Sequence, residues 1–150
     1  MLTTNKPLPG PDVESAPYWS ACRDHRLTMQ RCSDCQHYQY PPATFCEKCR
    51  SPKSGWVEVS GRGKVFSWIV VRHPIPREVF GDMVPYVVAL IELEEGPRLA
   101  SNIIDCDVEA VTDGMAVEVV FEDVTPEISL PKFRPAATAS SVSKSGKLTN

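Results

Sequence analysis

Alternating apolar and polar positions dominate the second half of the chain and predict a sheet. In the segment at 115–124, Val117, Val119 and Phe121 fall on one face while the intervening glutamates fall on the other. Apolar runs of similar length precede it, and glycine, proline and aspartate turn signals separate them. The predicted strands are KVFSWIVVR at 64–72, PYVVALIEL at 85–93, RLASNII at 98–104, MAVEVVFEDV at 115–124 and a short fifth strand, ISLPKFRP at 128–135.

These strands follow one another without a long helix between them, which favours a mainly β fold. Four or five short strands of this kind are typical of a small closed or partly open barrel, and the five-stranded OB-fold fits the count. An SH3-like barrel is the alternative. We therefore expect the OB-fold over residues 57–135.

The N-terminal part predicts an extended arm and one short helix, together spanning 1–26. Ser15 is a candidate cap for a helix over 16–26, and a proline at its start is tolerated in the first turn. Such a helix is too short to be stable alone. Tyr18 and Trp19 must therefore pack on something, either the chain's own core or a partner subunit.

Residues 27–56 contain two cysteine pairs and few apolar residues, so a metal must substitute for the core of this mini-domain. Ten residues separate Cys32-x-x-Cys35 from Cys46-x-x-Cys49. Four thiolates satisfy the tetrahedral demand of zinc and leave no open position for water, so the expected Zn²⁺ site is structural and closed. Iron can use the same ligands, but zinc suits a chain with no other redox feature.

The remaining two cysteines, Cys22 and Cys106, have no activating neighbour and are expected to be small buried apolar residues. His37 lies between the two cysteine pairs, where four thiolates already complete the metal site, so we expect it on the ribbon surface.

Composition and charge disfavour some classes of function and location for this protein. The 150 residues carry a formal net charge of −3 without a dense basic block, which disfavours nucleic acid as the main partner. The first residues lack a signal-peptide pattern and no apolar run is long enough for a membrane span, so we expect a cytoplasmic protein. Residues 136–150 are rich in Ser, Thr, Ala and Lys and are expected to be a disordered tail.

No sequence motif points to catalysis by this chain. It contains no GxSxG, HExxH, phosphate loop or GxGxxG pattern. The basic residues Arg72, His73 and Arg77 lie in the long connection between the first two predicted strands, where an anionic ligand's phosphate is the natural partner. We therefore expect no catalytic residues in this chain.

The order of these features resembles the small zinc-ribbon plus OB-fold proteins associated with acyl-CoA metabolism and thiolase-like enzymes. The resemblance spans nearly the whole chain. It is carried by PYWSACRDHRL at 17–27, RCSDCQHYQYPPATFCEKC at 31–49, GRGKVFSW at 61–68, PYVVALIELEEGPRL at 85–99, DGMAVEVVF at 113–121 and LPKFRP at 130–135.

The resemblance implies a rubredoxin-like ribbon followed by an OB-fold, in an accessory subunit that forms a hetero-oligomer with a separate thiolase-like catalytic subunit. The nucleophilic cysteine and the acid–base groups would then belong to that partner. Tyr18 and Trp19 become candidates for the interface, and Arg72, His73 and Arg77 become candidates to meet acyl-CoA near it.

Two alternatives remain open. A standalone acyl-CoA carrier would use the same ligand class without a partner. A single-stranded nucleic-acid-binding module would use Phe66, Trp68 and Tyr86 to stack bases, as OB-folds and zinc ribbons can do.

Overall fold

The computed structural model describes residues 6–137 and contains a helix, a small sheet and a barrel in that order. The predicted tail therefore lies outside the described residues from 138 onward. The elements are α1 (Ala16–Arg23), β1 (Thr28–Cys32), β2 (Tyr38–Gln39), β3 (Ser54–Glu58), β4 (Arg62–Val71), α2 (Arg77–Phe80), β5 (Tyr86–Leu93), β6 (Arg98–Ile103), a 3₁₀ turn (Val108–Ala110), β7 (Ala116–Asp123) and β8 (Ser129–Pro135).

The last five strands form a closed barrel in the order β4-β5-β6-β8-β7, with β7 pairing back to β4. This confirms the predicted mainly β fold with a five-stranded barrel. Strand β5 shows why alternating apolar positions predicted the strands, since every second residue of β5 is buried. The inward side chains of the barrel include Val65, Val87, Ile91, Leu99, Val117 and Phe133, all at most 2% exposed.

Strand β4 pairs with both of its barrel neighbours near its start. Gly63 pairs with Leu93 on β5 and with Val117 on β7. A Cβ atom at Gly63 would lie 2.5 Å from the carbonyl oxygen of Glu92, so only glycine allows this approach of the two backbones. A register shift between Val65 and Ser67 marks a bulge in the same strand.

The cysteine-rich segment forms a three-stranded antiparallel sheet in the order β2-β1-β3. It contains more core than the sequence suggested, because Leu27 and Met29 are 2% and 0% exposed. Both belong to one apolar cluster with Tyr18 and Cys22 of α1 and with the barrel interior. Helix, ribbon and barrel therefore share one core.

Helix α1 begins at Ala16 with Ser15 at the N-cap position, as predicted, but the capping bond is absent and the helix ends early. Ser15 makes no side-chain capping bond, and its backbone N–H instead donates to Asp12 Oδ1 at 2.7 Å. The helix ends at Arg23 rather than Arg26, because His25 adopts a positive φ of 56°. His25 then stacks on Phe121 and places its Nε2 atom 2.7 Å from Asp123 Oδ1, which ties the helix end to β7.

Within residues 6–137, no helix is long and apolar enough to cross a membrane.

Candidate metal centre

The structure brings the four predicted cysteines together. The Sγ atoms of Cys32, Cys35, Cys46 and Cys49 all lie within 4.8 Å of one another. Cys32 Sγ is 3.6 Å from Cys49 Sγ, and Cys35 Sγ is 3.6 Å from Cys46 Sγ. A tetrahedral ion with bonds of about 2.3 Å to sulfur requires sulfurs about 3.8 Å apart. The donor set therefore fits a four-thiolate metal site, and no fifth ligand is needed.

Two similar turns position the thiols. In the first, the backbone N–H of Cys32 donates to the carbonyl of His37, and that of Gln36 donates to the carbonyl of Cys32. In the second, Cys46 and Arg50 repeat the same two bonds with the carbonyls of Ser51 and Cys46. Gln36 and Arg50 follow the second cysteine of their pairs, and both have a φ of 64°.

The electrostatics of the four thiols favour the binding of a cation. Backbone N–H groups aimed at sulfur favour the thiolate, and that of Cys35 is the main cause that lowers the pKa of Cys32 to about 6. The N–H of Cys49 likewise lowers the pKa of Cys46. For Cys49 the N–H of Ser51 acts in the same direction, yet desolvation and the three neighbouring sulfurs raise its pKa to about 12. Thiolates this close repel one another, and a bound cation relieves that repulsion.

Two buried glutamines hold the loop between the cysteine pairs. Gln39 Nε2 donates to Gln30 Oε1, and Gln39 Oε1 accepts from the backbone N–H of Glu47 at 2.9 Å. Gln30 Oε1 accepts from the N–H of Ala43 at 2.9 Å, and Gln30 Nε2 donates to the carbonyl of the same residue. The two side chains thus replace an apolar core for this loop. Sequence reasoning missed them because glutamine is usually a surface residue.

His37, which the sequence placed on the ribbon surface, is partly covered, with 33% of its side chain exposed. Its Nε2 atom lies 2.7 Å from Glu47 Oε1. This contact links the two cysteine turns from outside the thiol cluster.

The remaining cysteines differ from one another. Cys22 is fully buried, as expected, and burial raises the pKa of its thiol to about 12. Cys106 is only partly buried, although desolvation is again the main cause that raises its pKa.

The three basic residues predicted to meet acyl-CoA lie along the exposed connection from β4 to β5. Arg72 follows β4 and pairs with Glu109, whereas Arg77 begins α2. His73, Arg72 and Arg77 are all exposed. Their role in ligand binding stays a prediction.

The two predicted interface residues differ in exposure. Tyr18 is 3% exposed and lies in the chain's own aromatic cluster, 5.7 Å from the Tyr40 ring and 6.4 Å from the Trp56 ring. Trp19 is only partly buried and meets Tyr18 edge to face at 5.1 Å. Trp19 is thus the member of the pair with surface left for a partner, and the interface role of both stays a prediction.

The three aromatic residues of the nucleic-acid alternative differ in exposure, since Phe66 is 46% exposed whereas Trp68 and Tyr86 are partly buried. Trp68 packs against the barrel core. The guanidinium of Arg98 lies over the Phe66 ring, 3.7 Å from its centroid. Tyr86 is half-buried at the start of β5.

Comparison with known proteins adds two family models that match consecutive parts of the chain. Residues 19–54 match the model described as the rubredoxin-like zinc ribbon domain of ChsH2. Residues 56–122 match that of the ChsH2 C-terminal OB-fold domain. The two models cover both the thiol cluster and most of the barrel.

Individual relatives agree with these matches. A probable enoyl-CoA hydratase alpha subunit of Thermomonospora curvata is 39% identical over 87% of this chain, which spans 40% of that longer protein. A DUF35 domain-containing scaffold protein of Methanothermobacter thermautotrophicus is 38% identical, with 69% of this chain and 77% of that protein covered. The solved structure described as Ltp2-ChsH2(DUF35) aldolase superposes with a TM-score of 0.78 at 38% identity, covering 85% of this chain and 98% of that one. The chain therefore belongs to the DUF35 family, with a ChsH2-type zinc ribbon followed by an OB-fold.

Proposed function

We propose that this chain is a non-catalytic accessory subunit of a thiolase-like acyl-CoA enzyme. The observation that carries the proposal is the similarity, at 38% identity, to an entire chain of a structure whose description joins DUF35 to Ltp2 in an aldolase. A relative described as a hydratase alpha subunit points to the same kind of assembly and to acyl-CoA chemistry. The proposed catalytic partner is the thiolase-like subunit that the sequence resemblance implies.

Zinc is the proposed metal, with Cys32, Cys35, Cys46 and Cys49 as its ligands. When bound it supplies structural cross-linking and no reactive position, because four thiolates complete its preferred geometry. The protein's own N–H groups stabilise the thiolates, so the ribbon is built to retain the ion.

The partner would dock on the outer face of β4 and the connection that follows it. Ile69 is 62% exposed there, opposite Val88 in the β4–β5 ladder. Ile75, in the connection, is 85% exposed. Ile69 and Ile75 would supply apolar contacts, because large exposed apolar side chains are used at protein–protein interfaces. Trp19 on α1 lies beside β6 and β8, which do not neighbour β4 in the barrel, and would form a separate contact with the partner.

Acyl-CoA would approach the edge of the same surface. Arg72, His73 and Arg77 share the connection with Ile75, so a partner docked on Ile75 has these basic groups at its border. Guanidinium groups bind phosphates through paired hydrogen bonds, which suits the phosphates of CoA.

Coexpression of the chain with a thiolase-like protein from the same operon tests the proposal, with size-exclusion chromatography and acyl-CoA turnover as the measurements. The wild-type chains should elute together. Ile69→Glu should separate them because it places a charge in the apolar contact, and Trp19→Ala should weaken the complex. Arg77→Ala should preserve assembly and raise the KM for the acyl-CoA substrate.

Val13→Glu is the matched control for Ile69→Glu. Val13 is 95% exposed on the N-terminal arm, so the same change there should leave the complex intact. Separate elution of the wild-type chains, with full activity in the partner alone, would refute the proposed function.

A further inference from the structure

Two side-chain contacts join the cysteine turns and mirror each other. His37 Nε2 lies 2.7 Å from Glu47 Oε1, and Ser51 Oγ donates to Asp34 Oδ2 at 2.6 Å. Each contact runs from the residue two positions after the last cysteine of one turn to a carboxylate between the cysteines of the other turn. Because a carboxylate only accepts hydrogen bonds, His37 Nε2 is the donor in the first contact. We call these two contacts the cross-turn clamps.

The two donor residues are fixed by the backbone of their own turns. The carbonyl of His37 accepts from the backbone N–H of Cys32, and the carbonyl of Ser51 accepts from that of Cys46. The residue that closes each turn therefore also reaches the other turn through its side chain. Since its backbone is already held in place, little further conformational entropy is lost when a clamp forms.

The four thiols lie between the two turns that the clamps connect. The 3.6 Å contacts join Cys32 to Cys49 and Cys35 to Cys46, so each of them pairs one sulfur from either turn. An ion held by all four sulfurs can be released only after the turns move apart or one cysteine swings away. Cys49 is exposed, whereas Cys32 and Cys46 are both 2% exposed, so a competing ligand reaches the thiols from the Cys49 side.

The clamps lie at the surface and are not required for folding. The side chains of Glu47 and Asp34 are 65% and 51% exposed, and exposed pairs of this kind contribute little to overall stability. Lys53 Nζ lies 3.9 Å from Asp34 Oδ1 as a weaker partner of that carboxylate. The backbone N–H of Ser33 also donates to the carbonyl of Lys53 at 2.9 Å, and this link remains when a clamp is removed. Variants that lack a clamp should therefore still fold and bind metal.

We propose that His37, Glu47, Asp34 and Ser51 are positioning residues that slow the release of the ribbon metal by holding the two cysteine turns together. The inference rests on the metal site in the proposed function, and it adds that residues which do not ligate the ion determine how long it is retained. Without the clamps the turns separate more often, and a competing chelator gains access to the ion at each opening. Slow release keeps the ribbon folded when free metal is scarce.

Release of Zn²⁺ from the full chain into an excess of a chromogenic chelator tests the proposal. Glu47→Ala and Asp34→Ala should each raise the release rate about threefold, and the double variant about tenfold, because both clamps must break before the turns separate. Glu47→Gln and Asp34→Asn keep an oxygen that accepts the hydrogen bond and should restore most of the slow release. After loading with Co²⁺, all variants should show the wild-type visible spectrum, because the four sulfur ligands stay in place.

Glu58→Ala is the matched control for Glu47→Ala, since Glu58 belongs to the same sheet and pairs with Arg26 at 3.8 Å, outside both turns. It should release metal at the wild-type rate, and an equal acceleration by this control would overturn the proposal. If Glu47→Ala does not load metal, His37→Leu decides, because it breaks the same contact from the other turn. One ion per chain with equal release rates in wild type and clamp variants overturns this inference alone, whereas a wild-type chain that binds no metal overturns the proposed metal site with it.

Discussion

The ribbon and the barrel share one apolar cluster but are ordered by different interactions. In the barrel, inward side chains such as Ile91 and Phe133 have no exposed surface at all. In the ribbon, the loop between the cysteine pairs is held by the buried amides of Gln30 and Gln39 and by four converging thiols. Apolar burial is distributed over many residues, whereas metal ligation and buried hydrogen bonds concentrate stability in a few. A single substitution at a metal ligand should therefore unfold the ribbon, whereas a single substitution in the barrel core should only lower the stability of the barrel.

Metal removal should expose this difference most strongly. Structural zinc sites contribute roughly 10–16 kcal/mol of binding free energy that becomes folding free energy. Cys46→Ser, or a strong chelator, should abolish amide protection over residues 28–58 and leave most protection in the barrel. Hydrogen exchange measured by mass spectrometry gives the result segment by segment.

Cys106→Ser is the matched control, because Cys106 lies outside the thiol cluster and the chemical change is the same. It should leave metal content and protection of the ribbon unchanged. Simultaneous loss of protection in ribbon and barrel after chelation would show that the two regions unfold as one unit.

The next largest effect is expected for a substitution in the apolar core of the barrel. Phe133 is fully buried on β8, where it pairs with Val119 of β7 and Ile103 of β6. Phe133→Ala should lower the free energy of unfolding by about 3–5 kcal/mol, because it removes apolar contacts and leaves a cavity. Denaturant titration measures this loss, and the metal content should stay at one ion per chain.

Phe45→Ala provides the comparison, since that phenyl group is 55% exposed in the ribbon. Its removal should change stability by less than about 0.5 kcal/mol. A similar cost for both phenylalanines would contradict the assignment of the apolar core to the barrel.

A smaller effect should come from the buried amides. Gln39→Ala removes the acceptor of the Glu47 N–H and the partner of Gln30, and should cost about 1–3 kcal/mol. Thr44→Ala removes an exposed hydrogen bond to Glu14 from the same loop and should cost less than about 0.5 kcal/mol. Denaturant titration of both variants with metal bound gives the difference. Equal costs would mean that the amide pair adds no more than a surface contact.

Sequence patterns predicted the barrel well and the ribbon strands not at all. Half-buried strands must alternate, so the predicted strand at 115–124 agrees with β7 to within a residue at each end. Strands β1 and β2 lack this alternation of apolar and polar residues, because their buried residues Gln30 and Gln39 are polar, so the pattern did not predict them. Cysteine spacing identified the thiol cluster directly, since few other arrangements use two such pairs.

Other features depended on contacts that the sequence does not display. Ser15 lies at the N-cap position of α1 as predicted, but its side chain makes no capping bond, and its backbone N–H donates to Asp12 three residues earlier. Nothing in the segment at 128–135 marked Lys132 as buried, because the cover is supplied by α1 and the N-terminal arm far away in sequence. Long-range packing of this kind is invisible to local periodicity.

The position of β8 has a consequence for the order of events during synthesis. All three ribbon strands lie within residues 28–58, whereas the barrel closes only when β8, at residues 129–135, joins β6 and β7. On a ribosome the ribbon strands emerge roughly 70 residues before β8 is available, several seconds at about 5–20 residues per second. All four cysteines are thus synthesised before the last barrel strand, so metal binding can begin while the barrel is still open.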